Sequence, residues 1–386
     1  MKIAIIGTRG IPNHYGGFEQ LAEHLSVRLY EKGHAVTVYN SHRHPYRESG
    51  WRGVQLIHCK DPEAKLGTAG QFIYDLNCLL DARKRKFDVI LALGYTSFSL
   101  WGRLLPRDSV TVINMDGLEW KRTKYSKPVR RFLRYAEGLA IRYCDRYIAD
   151  SPAIRDYLKE KYGVDSEYIA YGAELFTGEE EGLLQAFKVE KGDYCMLMAR
   201  MEPENNIEMI AEGFRDSHSA KKLLIIGNTG NAFGQYLVKK FGGDKRIVFA
   251  GAIYDAKKIH ALKAFSSLYF HGHSVGGTNP SLLEAMASRA LIAAHDNPFN
   301  KAILGPDALY FSSHREVSVL VEQIDRDESF REGAPKKETG SDRERMIGNN
   351  LEKIREHFNW GKIADQYEQY LLASYRERSV KASEGR

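Results

Sequence analysis

The sequence predicts an α/β chain built as two doubly wound domains that face each other. Two observations carry this. Short apolar, β-branched runs alternate with helical patterns, which is the signature of parallel sheets made from right-handed βαβ units. The runs also fall into two series of about six, separated by a stretch around 171–191 where the strand rhythm breaks. A chain of 386 residues is long enough for two such cores.

The first series reads KIAIIG (2–7), AVTVYN (35–40), VQLIH (54–58), DVILALG (88–94), SVTVINMDG (109–117) and RYIADS (146–151). The second reads YCMLMA (194–199), KLLIIG (222–227), RIVFAG (246–251), SLYFHG (267–272), ALIAAH (290–295) and ALYFSS (308–313). Helical segments such as 18–33 and 206–217 connect them. The boundaries expected are 1–175, 176–358 and a terminal helical segment, 359–386. In that last segment Ile363, Tyr367, Tyr370, Leu371 and Tyr375 lie near helical spacing, so the helix needs a face to cover. No repeat of fixed period is visible.

Composition narrows the class. With 43% hydrophobic and 27% charged residues the chain is neither fibrous nor disordered. Its most apolar run, 88–106, is broken by Gly94, Gly102 and Arg103, short of the ~20 residues of a membrane helix. The N-terminal MKIAIIGTRG enters a strand at once and shows no cleavable signal pattern. Cys59, Cys78, Cys144 and Cys195 never form a CxxC pair, which suggests neither a zinc site nor a disulfide framework. A cytoplasmic enzyme is the expectation. The net charge of +6 is concentrated in 121–135, with Lys or Arg at 121, 122, 124, 127, 130, 131 and 134. Such a basic amphipathic stretch reads as a surface for anionic lipid, phosphate or nucleic acid, or else as a solvated helix face.

Ligands of doubly wound sheets bind beyond the carboxyl ends of the strands, so the loops there are informative. After the first strand comes GTRGIPNHYGGFE. It is not a dinucleotide fingerprint, because Arg9 occupies the second glycine position, and it has no Walker lysine. It offers Arg9, His14, Gly16 and Gly17 ahead of a helix, where free N–H groups favour an anion. The two glycines also suit an ordinary tight turn. In the second half, HGHSVGGTNPSLLEAM (271–286) repeats the layout with Gly276, Gly277, Thr278 and Asn279 before Pro280. Two capping frames compete here. Pro280 favours a helix start at Asn279. Ser281 and Glu284 fit a capping box, in which Glu284 would accept from the backbone. The earlier start leaves Glu284 one turn inside the helix and free to face a ligand. A third loop, ARMEPENN, places Arg200 at a strand end with Asn205 and Asn206 opening the next helix, which suits a phosphate. The competing reading pairs Arg200 with Glu202 or Glu204. Finally, NMDGLEWKR (114–122) sets Asp116 and Glu119 after a strand, as candidates for acid–base work or for holding hydroxyls. DRD at 325–327 lies in a charged run and reads as surface, not as a metal motif.

These stretches together resemble the retaining, two-domain GT-B glycosyltransferases of family 4, in particular their bacterial rhamnosyltransferase-like branch in cell-surface polysaccharide synthesis. The resemblance rests on GTRGIPNHYGGFE, DGLEWKR, ARMEPENN, HGHSVGGTNPSLLEAMA and NWGKIADQYEQYL and spans nearly the whole chain. It implies two Rossmann-like domains around a central cleft, with a C-terminal helix crossing back to the first. It implies sugar transfer from a nucleoside-diphosphate donor without metal or other cofactor. Glu284 would then hold the donor ribose and Arg200 the diphosphate, with N–H groups of Gly276–Asn279 and the Gly16–Gly17 loop beside the donor. Arg9, His14 and Glu119 would lie on the acceptor side, and Asp116 is the residue expected at the reacting centre with Arg200.

Two departures stand out. Gly276 replaces the first of a glutamate pair spaced eight apart, in keeping with a less hydroxylated 6-deoxy sugar such as rhamnose. Asn205 replaces the usual basic partner of the arginine. The partners implied are a dTDP- or UDP-linked sugar and a lipid-diphosphate-linked saccharide. The protein would sit at the inner face of the cell membrane through 121–135, with no nucleic acid. A nucleotide-sugar epimerase of the same fold and a non-catalytic nucleotide-sugar binding module are the alternatives.

Overall fold

A computed structural model describes residues 1–384 except 123, 179, 254 and 327–341. The chain divides into two compact units. The first comprises Met1–Lys121, Tyr125–Gly172 and Trp360–Arg386; the second comprises Arg122–Lys124 and Ala173–Asn359.

In the first unit the strands are β1 (Lys2–Ile6), β2 (Ala35–Ser41), β3 (Gly50–Trp51), β4 (Val54–Cys59), β5 (Val89–Leu93), β6 (Val110–Asn114), β7 (Arg146–Ala149) and β8 (Glu167–Tyr168). They form one sheet in the order β3-β4-β2-β1-β5-β6-β7-β8, parallel except for the β3–β4 edge pair. The second unit contributes β9 (Tyr194–Met198), β10 (Lys222–Ile226), β11 (Ile247–Gly251), β12 (Leu268–His271), β13 (Ile292–His295) and β14 (Leu309–Phe311). Their order is β11-β10-β9-β12-β13-β14, and every pairing is parallel.

Every strand expected from the sequence is present. β3 and β8 were not foreseen, because two residues carry no periodicity. Helices cover both sheet faces, so the central strands β1, β5 and β6 are buried almost end to end and read as continuous apolar runs. In each sheet the strand order reverses once, between β1 and β5 and between β9 and β12. These reversals open crevices at the carboxyl ends, where ligands of such sheets bind.

The second unit's core gathers Leu197, Ile210, Phe214, Leu223, Phe270, Leu291 and Val317 around its sheet. The helix Trp360–Glu384 belongs to the first unit and packs on the helix Gly17–Glu31 and on β6. Its buried face is Trp360, Ile363, Ala364, Tyr367 and Leu371, at three- and four-residue spacing. Trp360 stacks on His24 at 4.4 Å, and Tyr367 Oη accepts from Asn114 Nδ2 at 3.0 Å. His34 and Lys32 meet Glu368 at 2.9 Å each, so the return of the chain is fastened by charge as well as by packing.

Candidate active site

At the reversal of the second sheet, two loops leave adjacent strands. β9 pairs with β12 through Leu197 and Phe270, so residues 199–206 and 272–279 emerge side by side. Hydrogen bonds tie them together. Asn206 Nδ2 donates to Gly272 O at 2.8 Å, and Ser274 donates to Glu204 O through its N–H (3.1 Å) and its hydroxyl (2.8 Å). A third clamp comes from the next loop, where the side-chain amides of Asn297 and Asn300 both reach His273 O, at 3.0 and 3.1 Å. Gly272 permits the close approach, since a Cβ there would lie 2.2 Å from Asn205 O.

Arg200 follows β9 and is exposed; among the described residues it makes no ion pair. Its main chain is pinned, because Arg200 O accepts from Glu202 N (2.7 Å) and Asn205 Nδ2 (2.8 Å). Of the carboxylates proposed as its partners, Glu202 instead bonds Lys124 Nζ at 2.8 Å, with Arg122 at 3.9 Å. Burial would raise the Glu202 carboxyl, but Lys124, Arg200 and Arg122 together hold it below the usual carboxylate range. Asn206 opens the helix Ile207–Asp216 from its N-cap position, in the left-handed region with φ 50°, and Asn205 ends the short turn before it; neither side chain makes a capping bond. Their amides brace the two loops instead.

His271 and His273 stack at 4.4 Å at the base of the second loop. Burial lowers both imidazoles, His271 well below its ordinary value and His273 to about 3, where Arg200 adds to the effect. Both are therefore neutral at physiological pH. Among the described residues neither nitrogen of His271 has a hydrogen-bond partner.

The helix Pro280–Ala287 begins in the frame Pro280 indicates. Asn279 is its N-cap and accepts from Ser281 N at 2.9 Å, which excludes the capping box. Gly276 has φ 140°, Gly277 is half-buried and Thr278 is buried. Glu284, released from the capping box, has a protein partner: Oε2 accepts from Lys263 Nζ at 2.8 Å, with Lys263 wholly buried and Glu284 23% exposed. Lys263 was missed, although its place four residues after Ile259 on a buried helix face was a legible signal.

The first unit assembles a second polar region. Gly16 caps the helix Gly17–Glu31 without a side-chain bond, and Glu19, buried in the first turn, accepts Arg9 N at 2.8 Å. An acid thus already occupies the helix end that was expected to receive an anion. Arg9 is engaged too: its guanidinium bonds Glu63 at 2.7 Å and lies 3.7 Å over the Tyr15 ring. His14 is exposed and meets His44 edge-on at 4.3 Å. Arg9, His14, Arg43, Asp61 and Glu63 border a cavity of about 280 Å³. Asp116, after β6, has φ 54°, a conformation that L residues adopt mainly where the surroundings demand it. Its negative charge and, more strongly, burial drive the carboxyl of Asp150 well up. Glu119 opens a short turn, Glu119–Lys121, held by Trp120. Trp120 Nε1 donates to the buried Glu137 (3.1 Å), which also accepts from Tyr157, Lys161 and Tyr162.

A larger cavity of about 430 Å³ lies beside Asn206, Glu208 and Glu212, but Lys240 contacts both of its carboxylates. Asp325 of the DRD run pairs with Lys221 at 3.6 Å, and Asp327 lies outside the described residues. Among the described residues no cluster of three or more His, Cys, Asp or Glu could hold a metal, and all four cysteines are buried free thiols.

Comparisons with known proteins agree with this architecture. Residues 1–174 match the family described as a domain of unknown function (DUF1972), and residues 184–337 match the family "Glycosyl transferases group 1". No curated protein matches the chain in sequence. Among solved structures, a sucrose-phosphate synthase from Thermosynechococcus elongatus superposes with TM-score 0.76 at 16% identity, over 99% of both chains. Anabaena HepE in complex with UDP-glucose gives 0.72 at 14% identity, over 96% of this chain and 99% of that one. An α,α-trehalose 6-phosphate synthase from Burkholderia multivorans gives 0.68 at 12%, over 99% of both. At these identities the likeness speaks to fold, while the group 1 domain, which spans the loops of Arg200 and Glu284, speaks to activity. The chain is a glycosyltransferase with the GT-B fold.

Proposed function

We propose that this glycosyltransferase moves a sugar, with retention at the anomeric carbon, from a nucleoside-diphosphate donor to a lipid-diphosphate-linked saccharide in cell-surface polysaccharide synthesis. The observation that carries the reading is Arg200: exposed, pinned through its main chain, and at the reversal point beside the β12 loop. The likeness to HepE, solved with UDP-glucose and with UDP, supports a nucleotide sugar as donor. In such a reaction the barrier lies in breaking the sugar–phosphate bond through an oxocarbenium-like state. Stabilising charge on the departing diphosphate is then the protein's main task. Arg200 and the N–H groups of the Gly276–Asn279 loop suit that role without a metal ion. Glu284 binds the nucleotide, and Asp116 serves the acceptor hydroxyl in the first unit. The absence of a carboxylate at 276 favours a 6-deoxy sugar such as L-rhamnose.

The test is donor binding followed by turnover. A dTDP- or UDP-linked 6-deoxyhexose is expected to raise the melting temperature, and nucleoside diphosphate to appear only when a lipid-linked acceptor is added, in EDTA as well as without it. A shift with GDP-mannose and none with dTDP-rhamnose would overturn the donor assignment. Conversion of the donor without acceptor would point to an epimerase.

The same proposal places the protein at the inner face of the cell membrane. The basic stretch is not a single α-helix: its first residue, Lys121, ends the short turn Glu119–Lys121, and the α-helix begins at Lys127. Lys127, Val129, Arg131, Arg134 and Tyr135 are exposed on it, with Leu133, Ala136 and Ala140 beneath. At about 1 kcal/mol for each cation near an anionic surface, K127Q/R131Q is expected to weaken binding to phosphatidylglycerol vesicles roughly 30-fold at low salt. Unchanged sedimentation with vesicles would remove the membrane part of the proposal. Among the described residues no helix is long and apolar enough to cross a membrane.

A further inference from the structure

The Lys263–Glu284 pair has an imbalance that packing does not explain. Lys263 lies on the helix Ala256–Ala264 among Ile259, Ala261 and Leu262, and its side chain is wholly buried. Its ammonium meets Glu284 Oε2 at 2.8 Å and stands 5.7 Å from the Tyr269 ring centroid. Removing an ammonium from water is costly, and one carboxylate returns that cost incompletely; apolar replacements of buried ion pairs are often neutral or stabilising. As a device for stability the lysine is a poor choice.

As a device for position it is effective. Asn279 and Pro280 set where the Glu284 helix begins, and Lys263 then sets where the Glu284 carboxylate points. A carboxylate held by a buried partner is preorganised to receive vicinal hydroxyls, and no rotamer freedom is lost when they arrive. The pair is also neutral as a unit, so a diphosphate can approach without meeting an uncompensated negative charge. We infer that Lys263 is a positioning residue that fixes Glu284 to take the ribose hydroxyls of a nucleoside diphosphate. This rests on the reading of Glu284 as a donor ligand.

The test is a double-mutant cycle on nucleotide affinity with Lys263→Met, Glu284→Gln and the double variant. Calorimetry with UDP, GDP and dTDP first identifies which nucleotide binds the unaltered protein. Each single variant is expected to weaken that nucleotide about tenfold. The double variant is expected to be no weaker than E284Q, because Lys263 acts through Glu284. K263M leaves the Glu284 carboxylate without its buried partner, so its melting temperature is expected to fall, and to recover in the double variant.

Other outcomes overturn the inference in distinguishable ways. Wild-type affinity in K263M beside a weakened E284Q, or losses that multiply in the double variant, would sink the role of Lys263 and leave Glu284 as a ligand. Wild-type affinity in E284Q, or no binding of any of the three nucleotides, would remove the donor reading and this inference with it. If K263M does not fold, Lys263→Gln enters the same cycle. Should neither fold, Lys263 is structural and the inference falls.

Discussion

Replacing Arg200 with alanine is expected to lower kcat/KM for sugar transfer by about 10²–10³-fold, the usual loss when one donor to developing negative charge is removed. The fold should not suffer. The side chain is exposed and makes no ion pair among the described residues, so its removal leaves no buried charge behind. The loop keeps its shape through main-chain atoms, since Glu202 N and Asn205 Nδ2 both bond Arg200 O. Exposed substitutions of this kind usually move stability by less than about 0.5 kcal/mol. R200K should recover part of the rate: it restores the charge but not the planar fork that grips two phosphate oxygens at once. Activity of R200A within threefold of wild type would overturn the assignment of this loop to the diphosphate. Asn205 sharpens the expectation, because its amide is turned to Arg200 O and leaves the arginine as the exposed cation of its loop.

The second large effect concerns pH. Asp75, on the helix Ala69–Arg85, is buried and hydrogen-bonded by Ser97. Burial lifts its carboxyl from 3.8 to about 7, and the charge of Asp61 adds to the rise, against the lowering effects of Ser97 and Arg9. The folded protein therefore holds this proton more tightly than the unfolded chain does. The stability it contributes is complete below about pH 4 and is lost as pH rises to about 7, beyond which it stays lost. At about 1.4 kcal/mol per pH unit, the full window is worth up to about 4 kcal/mol. Asp75→Asn removes the titration and keeps a neutral side chain in place. Urea unfolding at pH 5 and pH 8 should show the wild type losing about 2–3 kcal/mol more than D75N between the two. Identical pH dependence in both proteins would refute the shift.

The fold was legible because its signals are local. Each long strand is a short apolar run between turn residues, and the Pro280 frame of the Glu284 helix follows from one residue's missing N–H. What could not be read were partners set by tertiary contact. Arg9 looked available until folding brought Glu63, 54 positions away, to its guanidinium. Nothing in the order of residues paired Glu284 with Lys263, which the helix before β12 delivers. Asn206 opens its helix as expected, yet its backbone is left-handed and its amide crosses to Gly272, 66 positions on. The residue types that mark a polar site are legible in order; which of them are already satisfied depends on contacts the chain makes only once folded.

Gly276 bears on how this enzyme could change. A Cβ at this position would meet nothing within 4 Å, so a larger side chain has room. The obstacle is the main chain, whose φ of 140° is one that L residues rarely adopt, and forcing it costs of order 1–3 kcal/mol. A single substitution to glutamate would therefore not simply add a carboxylate; it would also strain or redirect the loop that carries Thr278 and Asn279. On the proposed role of position 276 in sugar preference, widening it by that route calls for compensating changes along the loop, and selection for new donors would have to cross that barrier before gaining from the added group.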